Sequence, residues 1–374
     1  MSLTKWLFLV VLAPAIALAE EPKSGLQIGS EFAAKDTLAC GEDGSDDARD
    51  CLTKLSWKPE PFTVRLDTAA AGCGDFLVRF PSPRPIGNSV VDLAAMEWFA
   101  AHDDDNAIKK SPAVVVIHES GKSMTVGRMI ARDLGAHGLH AFLLQLPGYG
   151  ARRVENASAV SKALPSLQQA ISDARRARDA VVALPVVDHS IVGIQGTSLG
   201  GFVTATTAGL DHGYNRVFIL LAGGDLQEVV LHGAKDAANT RKKLTDAGVT
   251  EEQIKQLAHD VEPLRLAHRI KPAETWLYSG KFDDVVPPRC SLAFAKAAHL
   301  VSDHHIELPV DHYSGVLYLP KIVNEIAERM TNTNTLDDPA QKPLNASAKA
   351  SSSTPQTSAA NETSSLEPAS VPAK

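Results

Sequence analysis

The sequence predicts an α/β domain built on a doubly wound, mostly parallel sheet. Between residues 112 and 320, short β-rich runs alternate with longer stretches whose apolar residues recur at helical spacing. The run at 113–117 is continuously apolar, which is typical of a strand covered on both faces. The chain has 374 residues, of which 44% are hydrophobic, so it has enough apolar material for a large core. Such alternation predicts parallel strands joined by right-handed helical crossovers.

The individual elements follow in chain order. Residues 62–66 and 75–80 alternate between apolar and polar side chains, which predicts an antiparallel pair at the edge of the same sheet. Parallel strands are expected at 113–117, 141–145, 191–194, 216–222, 274–278 and 305–308. Helices are expected at 124–137, near 157–184 and directly after Ser198.

A mostly helical, polar stretch at 226–272 comes between two of the core strands. An insertion at this point lies over the carboxyl ends of the strands, where open α/β sheets bind their ligands. We therefore expect one domain at 62–330, with a small helical insertion, a lid, before the penultimate strand. Residues 20–61 are an N-terminal extension in this division.

Both ends of the chain differ in composition from the domain. Lys5 precedes the apolar run 6–12, and small residues lead up to Ala19, a pattern that predicts a secretory signal at 1–19. The alternative, a membrane anchor, needs about 20 apolar residues, and this run is shorter. Residues 331–374 are rich in Ser, Thr, Ala and Pro, which predicts a disordered tail. The signal predicts export to the periplasm or the extracellular space, with no membrane span after cleavage.

The mature chain keeps four cysteines, Cys40, Cys51, Cys73 and Cys290. Export makes disulfides chemically accessible, and a bond between Cys40 and Cys51 closes a short acidic loop at 41–50 and leaves Cys73 for Cys290. Free thiols are the other alternative, because connectivity cannot be deduced from sequence.

The charge balance excludes some classes of partner. The chain has 37 Lys and Arg against 44 Asp and Glu, a net charge of −7. A nucleic-acid partner is not expected, since phosphate backbones are bound by an excess of basic residues. A polybasic membrane-surface protein is disfavoured for the same reason. Composition makes no prediction of the oligomeric state.

The sharpest motif is Gly-x-Ser-x-Gly at 196–200, directly after the predicted strand 191–194 and before a helical run. In that setting it is typical of a nucleophile elbow, in which Gly196 and Gly200 allow the backbone to turn abruptly from strand to helix. The turn lifts the Ser198 hydroxyl above the edge of the sheet. The alternative is an ordinary glycine-rich turn.

A serine hydroxyl needs a base to take its proton and an acid to orient that base. Asp283 and His312 follow the last two predicted strands, in the order Ser, Asp, His that such a fold uses. Asp284 is the alternative acid, and Asp283 is favoured by its spacing to the residues Val286 and Pro287.

Two backbone N–H groups are also needed for the oxyanion. Leu199 supplies one and the loop after residues 113–117 the other, assigned to Ser120. In that loop His118 and Glu119 begin a zinc-protease pattern, but no His follows four positions later. A phosphate-binding loop ending at Gly121 lacks its leading glycine. No metal and no cofactor is therefore expected.

The aromatic side chains Tyr149, Phe282 and Tyr313 flank the predicted site and are candidates to line an acyl or alcohol pocket. The alternative is that they only pack against the edge of the core.

Taken together, these motifs resemble the α/β-hydrolase superfamily, and within it the dienelactone-hydrolase-like and exported esterase branch. The resemblance covers about residues 62–325 and includes the segments 114–119, 146–150 and 196–200. Dienelactone hydrolases use a Cys nucleophile where this chain has Ser198, so lactone chemistry is not carried over. Similar motifs occur in acetyl xylan esterases and in prolyl-oligopeptidase-like peptidases.

The resemblance implies an α/β-hydrolase fold and an exported serine hydrolase. Such an enzyme cleaves a small or medium carboxylic ester through a Ser-His-Asp triad and an acyl-enzyme intermediate. The alternatives are a peptidase or thioesterase of the same fold, or a hydrolase-fold binding protein without catalysis.

Overall fold

A mixed ten-stranded sheet organises the chain in a computed structural model, which describes residues 26–154 and 163–332. The strands are β1 (Glu31–Ala34), β2 (Phe62–Thr68), β3 (Phe76–Pro81), β4 (Leu93–Phe99), β5 (Ser111–Ile117), β6 (His140–Gln145), β7 (Val187–Thr197), β8 (Arg216–Leu220), β9 (Thr275–Gly280) and β10 (His305–Leu308). Their order across the sheet is β1-β2-β3-β4-β6-β5-β7-β8-β9-β10. The strands from β6 to β10 in this order pair in parallel, and β1 to β4 pair antiparallel with their neighbours.

Helices cover both faces of the sheet. They are α1 (Asp46–Leu55), α2 (Thr125–Ala136), α3 (Ala163–Val182), α4 (Leu199–Leu210), α5 (Leu226–His232), α6 (Lys235–Asp246), α7 (Glu251–Asp260), α8 (Pro288–Ala297) and α9 (Leu319–Thr331). On β5, Ala113, Val115 and Ile117 join the core beneath α1, α3, α4 and α8. Val114 and Val116 join the core beneath α2 and α9. The continuous apolar run therefore fills both cores, and the predicted doubly wound fold class is confirmed.

The predicted edge pair forms as an antiparallel ladder of β2 and β3, with Arg65 opposite Arg79. It is not at the edge, because β1 pairs with β2 on its outer side. Strand β4, which has no alternating pattern, joins the pair to β6. Its one charged residue, Glu97, is buried and accepts hydrogen bonds from Arg128 and Gln145.

The N-terminal extension is part of the same packed unit. Half of the expected acidic loop 41–50 is helix α1, whose N-cap Ser45 accepts a hydrogen bond from the Ala48 N–H. The extension is held by ion pairs, of which the most buried joins Asp36 to Arg176 at 2.6 Å. Further along, Arg265 at the end of the helical insertion binds both Asp47 and Asp50.

A bond between Cys40 and Cys51, one of the alternatives left open by the sequence, is not formed, and all four cysteines are free thiols. Cys51 lies on the inner face of α1 and is fully buried in the core. Burial raises the pKa of the Cys51 thiol to about 11. This thiol is therefore a small hydrophobic core group.

The insertion between β8 and β9 has three helices, α5, α6 and α7, followed by short 3-10 turns. It comes before the penultimate strand, as predicted. The proposed signal at 1–19, the tail from 333 onward and the start of the expected helix near 157–162 lie outside the described residues. No helix in the described part of the chain is long and apolar enough to cross a membrane.

A buried histidine makes the stability of this fold depend on pH. The His140 Nδ1 atom accepts hydrogen bonds from the Ala101 N–H (3.0 Å) and the Trp98 indole (3.3 Å). Its Nε2 atom donates to the carbonyl oxygens of Lys109 and Val186 at 3.0 and 3.1 Å. Only the neutral ring fits these four partners, and burial lowers its pKa from 6.5 to about 4.

We expect the free energy of unfolding to fall by about 2 kcal/mol through this residue between about pH 7 and about pH 4.5. In that window the unfolded His140 binds a proton and the folded one does not, so acid favours the unfolded chain. Urea unfolding at both pH values measures the effect. His140→Gln should lose this part of the pH dependence, whereas the exposed-site control His189→Gln should keep it. Equal pH dependence in the wild type and His140→Gln would contradict the assignment.

Candidate active site

Ser198 occupies the abrupt turn between β7 and α4. Its backbone has φ of 53° and ψ of −116°, a conformation rarely adopted by a residue with a side chain. The Ser198 N–H donates to the Leu220 carbonyl oxygen at 2.9 Å, which fixes the turn to the neighbouring strand. A Cβ at Gly196 would overlap the Gly200 carbonyl oxygen, and one at Gly200 would overlap that of Ile117. Both glycines of the motif are therefore required by close backbone approach.

His312 lies between Ser198 and Asp283. Its Nε2 atom is 2.9 Å from the Ser198 Oγ atom, and its Nδ1 atom is 2.7 Å from Asp283 Oδ2. The other carboxylate oxygen, Oδ1, accepts hydrogen bonds from the N–H groups of Val285 and Val286 at 2.9 and 2.8 Å. His312 and Asp283 are buried and Ser198 is half-buried. The structure thus brings the three sequence-predicted residues into one hydrogen-bonded chain.

The alternative acid, Asp284, lies elsewhere. Its Oδ1 atom is 3.0 Å from the Lys235 ammonium, and both side chains are close to half exposed. The N–H groups of Val285 and Val286, two and three residues after Asp283, both donate to its side chain. This tight turn is why the distance in sequence to Val286 and Pro287 distinguishes Asp283 from Asp284.

Of the two predicted oxyanion donors, Leu199 directly follows Ser198 and Ser120 borders the same cavity as Ser198. Leu199 is the first residue of α4, so its N–H is among those that have no partner within the helix. Ser120 lies in the loop after β5, next to Glu119 and Gly121, and all three border the same cavity as Ser198. This arrangement gives a place for negative charge next to a helix N-terminus.

The residues His118 and Glu119, set aside in the sequence as an incomplete zinc motif, hold this loop. The buried His118 ring donates from Nδ1 to the Glu119 carbonyl oxygen (2.6 Å) and accepts at Nε2 from the Leu146 N–H (3.1 Å). Burial lowers the pKa of His118, so the ring is neutral as these bonds require. The Glu119 carboxylate accepts from the N–H groups of Val126 and Gly127 in the first turn of α2. Sequence reasoning missed this role because it depends on Leu146 and α2, which are distant along the chain.

A cavity of about 240 Å³ opens at Ser198. Its inner wall is apolar and buried, and its outer wall includes residues of the insertion and of the loop after β10. The lining residues are Glu119, Ser120, Gly121, Val126, Thr197, Ser198, Leu220, Leu221, Asp236, Tyr278, Leu308, His312, Tyr313, Gly315, Val316, Leu319 and Ile322.

Of the three aromatic candidates, only Tyr313 lines this cavity. Tyr149 instead packs its ring 4.5 Å from the His118 ring and donates a hydrogen bond to the Ser120 carbonyl oxygen at 3.0 Å. Through this hydrogen bond to the backbone, Tyr149 supports the loop that carries Ser120. Phe282 is 69% exposed, and its N–H donates to the Val310 carbonyl oxygen. Tyr149 and Phe282 are thus not among the residues that line this cavity.

The geometry has the components of acyl transfer: a hydroxyl next to an imidazole, a carboxylate behind that imidazole, and amide donors beside the hydroxyl. In the described ranges 26–154 and 163–332, no group of three or more His, Cys, Asp or Glu side chains is placed to hold a metal ion.

Comparison with solved structures identifies the fold. The chain matches acetyl xylan esterase 1 from Thermoanaerobacterium sp. JW/SL YS485 with a TM-score of 0.52 and 19% identity, over 78% of this chain and 96% of that one. The chain has the fold of the α/β-hydrolase superfamily. This α/β-hydrolase-fold chain also matches an acetyl xylan esterase from Paenibacillus sp. R4, with a TM-score of 0.52 and 16% identity over 76% and 92% of the two chains.

A third match is a puromycin-hydrolyzing peptidase from Mycobacterium tuberculosis, with a TM-score of 0.50 and 18% identity. It covers 72% of this chain and 46% of that one. The sequence matches no protein-family model and no curated protein. Identities this low show the shared fold, and the dienelactone-hydrolase-like branch stays a prediction.

Proposed function

We propose that this chain is a serine hydrolase that cleaves carboxylic esters. The observation that carries the proposal is the hydrogen-bonded chain from Ser198 through His312 to Asp283. Its Ser198 end borders an apolar cavity. The esterases among the structural matches support the reaction class by analogy of fold alone. Export on the predicted signal at 1–19 is part of the same proposal.

The reaction begins when the Ser198 Oγ atom attacks the ester carbonyl carbon. His312 Nε2 takes the hydroxyl proton, and the carbonyl oxygen becomes an oxyanion held by the N–H groups of Leu199 and Ser120. The tetrahedral intermediate collapses, the bond to the alcohol breaks, and His312 returns the proton to the departing alkoxide. Water then attacks the acyl-enzyme in the same way and releases the acid and free Ser198.

Asp283 acts on the reaction through His312. With Nδ1–H donating to the Asp283 carboxylate, the opposite nitrogen is left as an acceptor facing the Ser198 hydroxyl. The carboxylate also stabilises the imidazolium that forms after proton transfer. The two hydrogen bonds from the Val285 and Val286 N–H groups keep the carboxylate in this orientation.

The cavity supports an acyl group larger than acetyl. At about 240 Å³ it exceeds an engineered apolar cavity of about 150 Å³ that binds benzene. Its inner wall contains buried Leu220, Tyr278, Leu308 and Ile322. Each additional methylene buried there contributes about 0.8 kcal/mol, or about fourfold in kcat/KM when the gain is realised in the transition state.

We therefore expect kcat/KM for p-nitrophenyl esters to rise by about fifteenfold from acetate to butyrate, and to fall once the acyl chain exceeds the cavity. Steady-state kinetics on acetate, butyrate, hexanoate and decanoate measures the profile. Val316→Trp, which narrows the cavity, should move the optimum to a shorter chain.

The matched control is Leu317→Trp, because Leu317 is the next residue, is 76% exposed and does not line the cavity. It should keep the wild-type profile. An optimum at acetate, or the same profile in both variants, would contradict the assigned acyl pocket. A panel that includes p-nitroanilides and thioesters of the preferred acyl group tests the peptidase and thioesterase alternatives.

A further inference from the structure

The insertion places one carboxylate in the mouth of the cavity. Asp236, in the first turn of α6, lines the same cavity as Ser198 and His312 and is exposed to solvent. The inner cavity residues are buried, whereas Asp236 and the 47% exposed Tyr313 are at the outer end. An ester whose acyl group fills the inner cavity has its alcohol part at this outer end.

The neighbouring cation does not neutralise this carboxylate. The Lys235 ammonium is 3.0 Å from Asp284 and lies 5.1 Å from the centre of the Tyr313 ring. In the described part of the chain, Asp236 is in no salt bridge. Burial, the charge of Asp236 and a hydrogen-bond contact with the Asp236 side chain raise the pKa of Tyr313, so the two side chains are neighbours at the mouth. Lys235, Asp236 and Asp284 together leave one net negative charge at the mouth.

The remaining carboxylates near the mouth are already engaged by backbone amides. Asp311 accepts hydrogen bonds from the N–H groups of Tyr313 and Ser314. Glu119 accepts from the first turn of α2. These hydrogen bonds hold both carboxylates against the backbone, whereas the exposed Asp236 carboxylate lies at the outer end of the cavity, where it can meet a substrate.

A second contact keeps the insertion close to the catalytic loops. The Ala234 N–H donates to the Asp284 carbonyl oxygen at 2.8 Å, directly beside Asp283. A Cβ at Gly233 would come 2.5 Å from the Val285 carbonyl oxygen, so the segment before α6 is packed tightly on the loop that carries the acid. The position of Asp236 is therefore fixed relative to the site.

We infer that Asp236 is a specificity-determining residue that selects esters with a cationic alcohol part over neutral ones, and neutral over anionic ones. The inference rests on the proposed ester hydrolysis and goes further by stating which charge the enzyme prefers on the alcohol part of its substrate. Asp236 acts by Coulomb attraction in the enzyme–substrate complex, and a partly exposed charge at this range contributes about threefold to tenfold in kcat/KM.

The test uses three butyrates that differ in the alcohol: choline butyrate (cationic), 3,3-dimethylbutyl butyrate (its neutral isostere) and 3-sulfopropyl butyrate (anionic). We expect kcat/KM to fall in that order for the wild type. Asp236→Asn should lower the ratio of kcat/KM for the choline ester to that for the dimethylbutyl ester by about threefold to tenfold. Raising the ionic strength to about 1 M, where the Debye length is about 3 Å, should lower the same ratio in the wild type.

The matched control is Glu252→Gln, which removes an acid from the first turn of the neighbouring helix α7. Glu252 does not line the cavity, so this variant should keep the wild-type ratio. Lys235→Met should raise the ratio, because it removes a positive charge next to Asp236 and Tyr313.

Equal kcat/KM for the three butyrates, or an unchanged ratio in Asp236→Asn, would overturn the inference while leaving ester hydrolysis intact. A wild type that does not hydrolyse even the neutral ester would overturn the proposed function, and the inference with it.

Discussion

Replacing Ser198 with Ala is expected to lower kcat for the preferred p-nitrophenyl ester by about 10⁴-fold to 10⁶-fold. The Ser198 Oγ atom lies 2.9 Å from His312 Nε2, and Ser198 borders the cavity. Without it no acyl-enzyme forms, and the remaining rate comes from the oxyanion donors acting on water. The Ala side chain fits the elbow, so circular dichroism and the urea midpoint should stay close to those of the wild type.

The control is Ser123→Ala, which removes an exposed hydroxyl in the loop after β5 that hydrogen-bonds with the Thr125 hydroxyl. It should leave kcat and KM unchanged. Wild-type turnover by a folded Ser198→Ala protein would remove Ser198 from the mechanism.

Replacing Asp283 with Asn is expected to lower kcat by about 10⁴-fold, with KM little changed. The Asn side-chain oxygen keeps the two hydrogen bonds that Asp283 Oδ1 now accepts from backbone N–H groups. The side-chain NH₂ group then faces His312 Nδ1. That group donates, so the imidazole is forced to carry its proton on Nε2 and no longer accepts the proton of Ser198. The loss should be largest near neutral pH and smaller at alkaline pH, where hydroxide acts in place of the base.

The neighbouring substitution Asp284→Asn makes the same chemical change one residue away. It breaks only the half-exposed contact with Lys235, which contributes at most about 1 kcal/mol. The kcat for the neutral ester should therefore stay within about threefold of the wild type. A reversed ranking, with Asp284→Asn the more damaging change, would show that the wrong carboxylate has been assigned.

The parallel half of the fold could be predicted from the sequence because its signals are local. Strand β5 and the Gly-x-Ser-x-Gly turn each depend on a few consecutive residues whose pattern has one structural explanation. Residues Asp283 and His312 could be predicted for a related reason, since both follow a strand and all parallel strands end at one edge of the sheet.

The parts that escaped prediction depend on contacts between distant residues. Strand β4 has neither alternation nor a β-branched run, and its Glu97 is tolerated only because Arg128 and Gln145 reach it. Helix α1 has local signals in Ser45 and the acidic residues after it, but a disulfide between Cys40 and Cys51 would make the same residues a loop. The supporting roles of His118 and Tyr149 could not be predicted at all, because their partners are set by the folded loop.

The central claim is that Ser198 is an activated nucleophile, and labelling with a fluorophosphonate followed by intact-mass and peptide mass spectrometry tests it most directly. We predict one adduct per chain, on the peptide that contains Ser198, formed in the wild type and in Asp284→Asn. Labelling should be absent in Ser198→Ala and slowed by at least about 10³-fold in His312→Ala. A wild-type protein that stays unlabelled, or one labelled at another residue, would contradict the account.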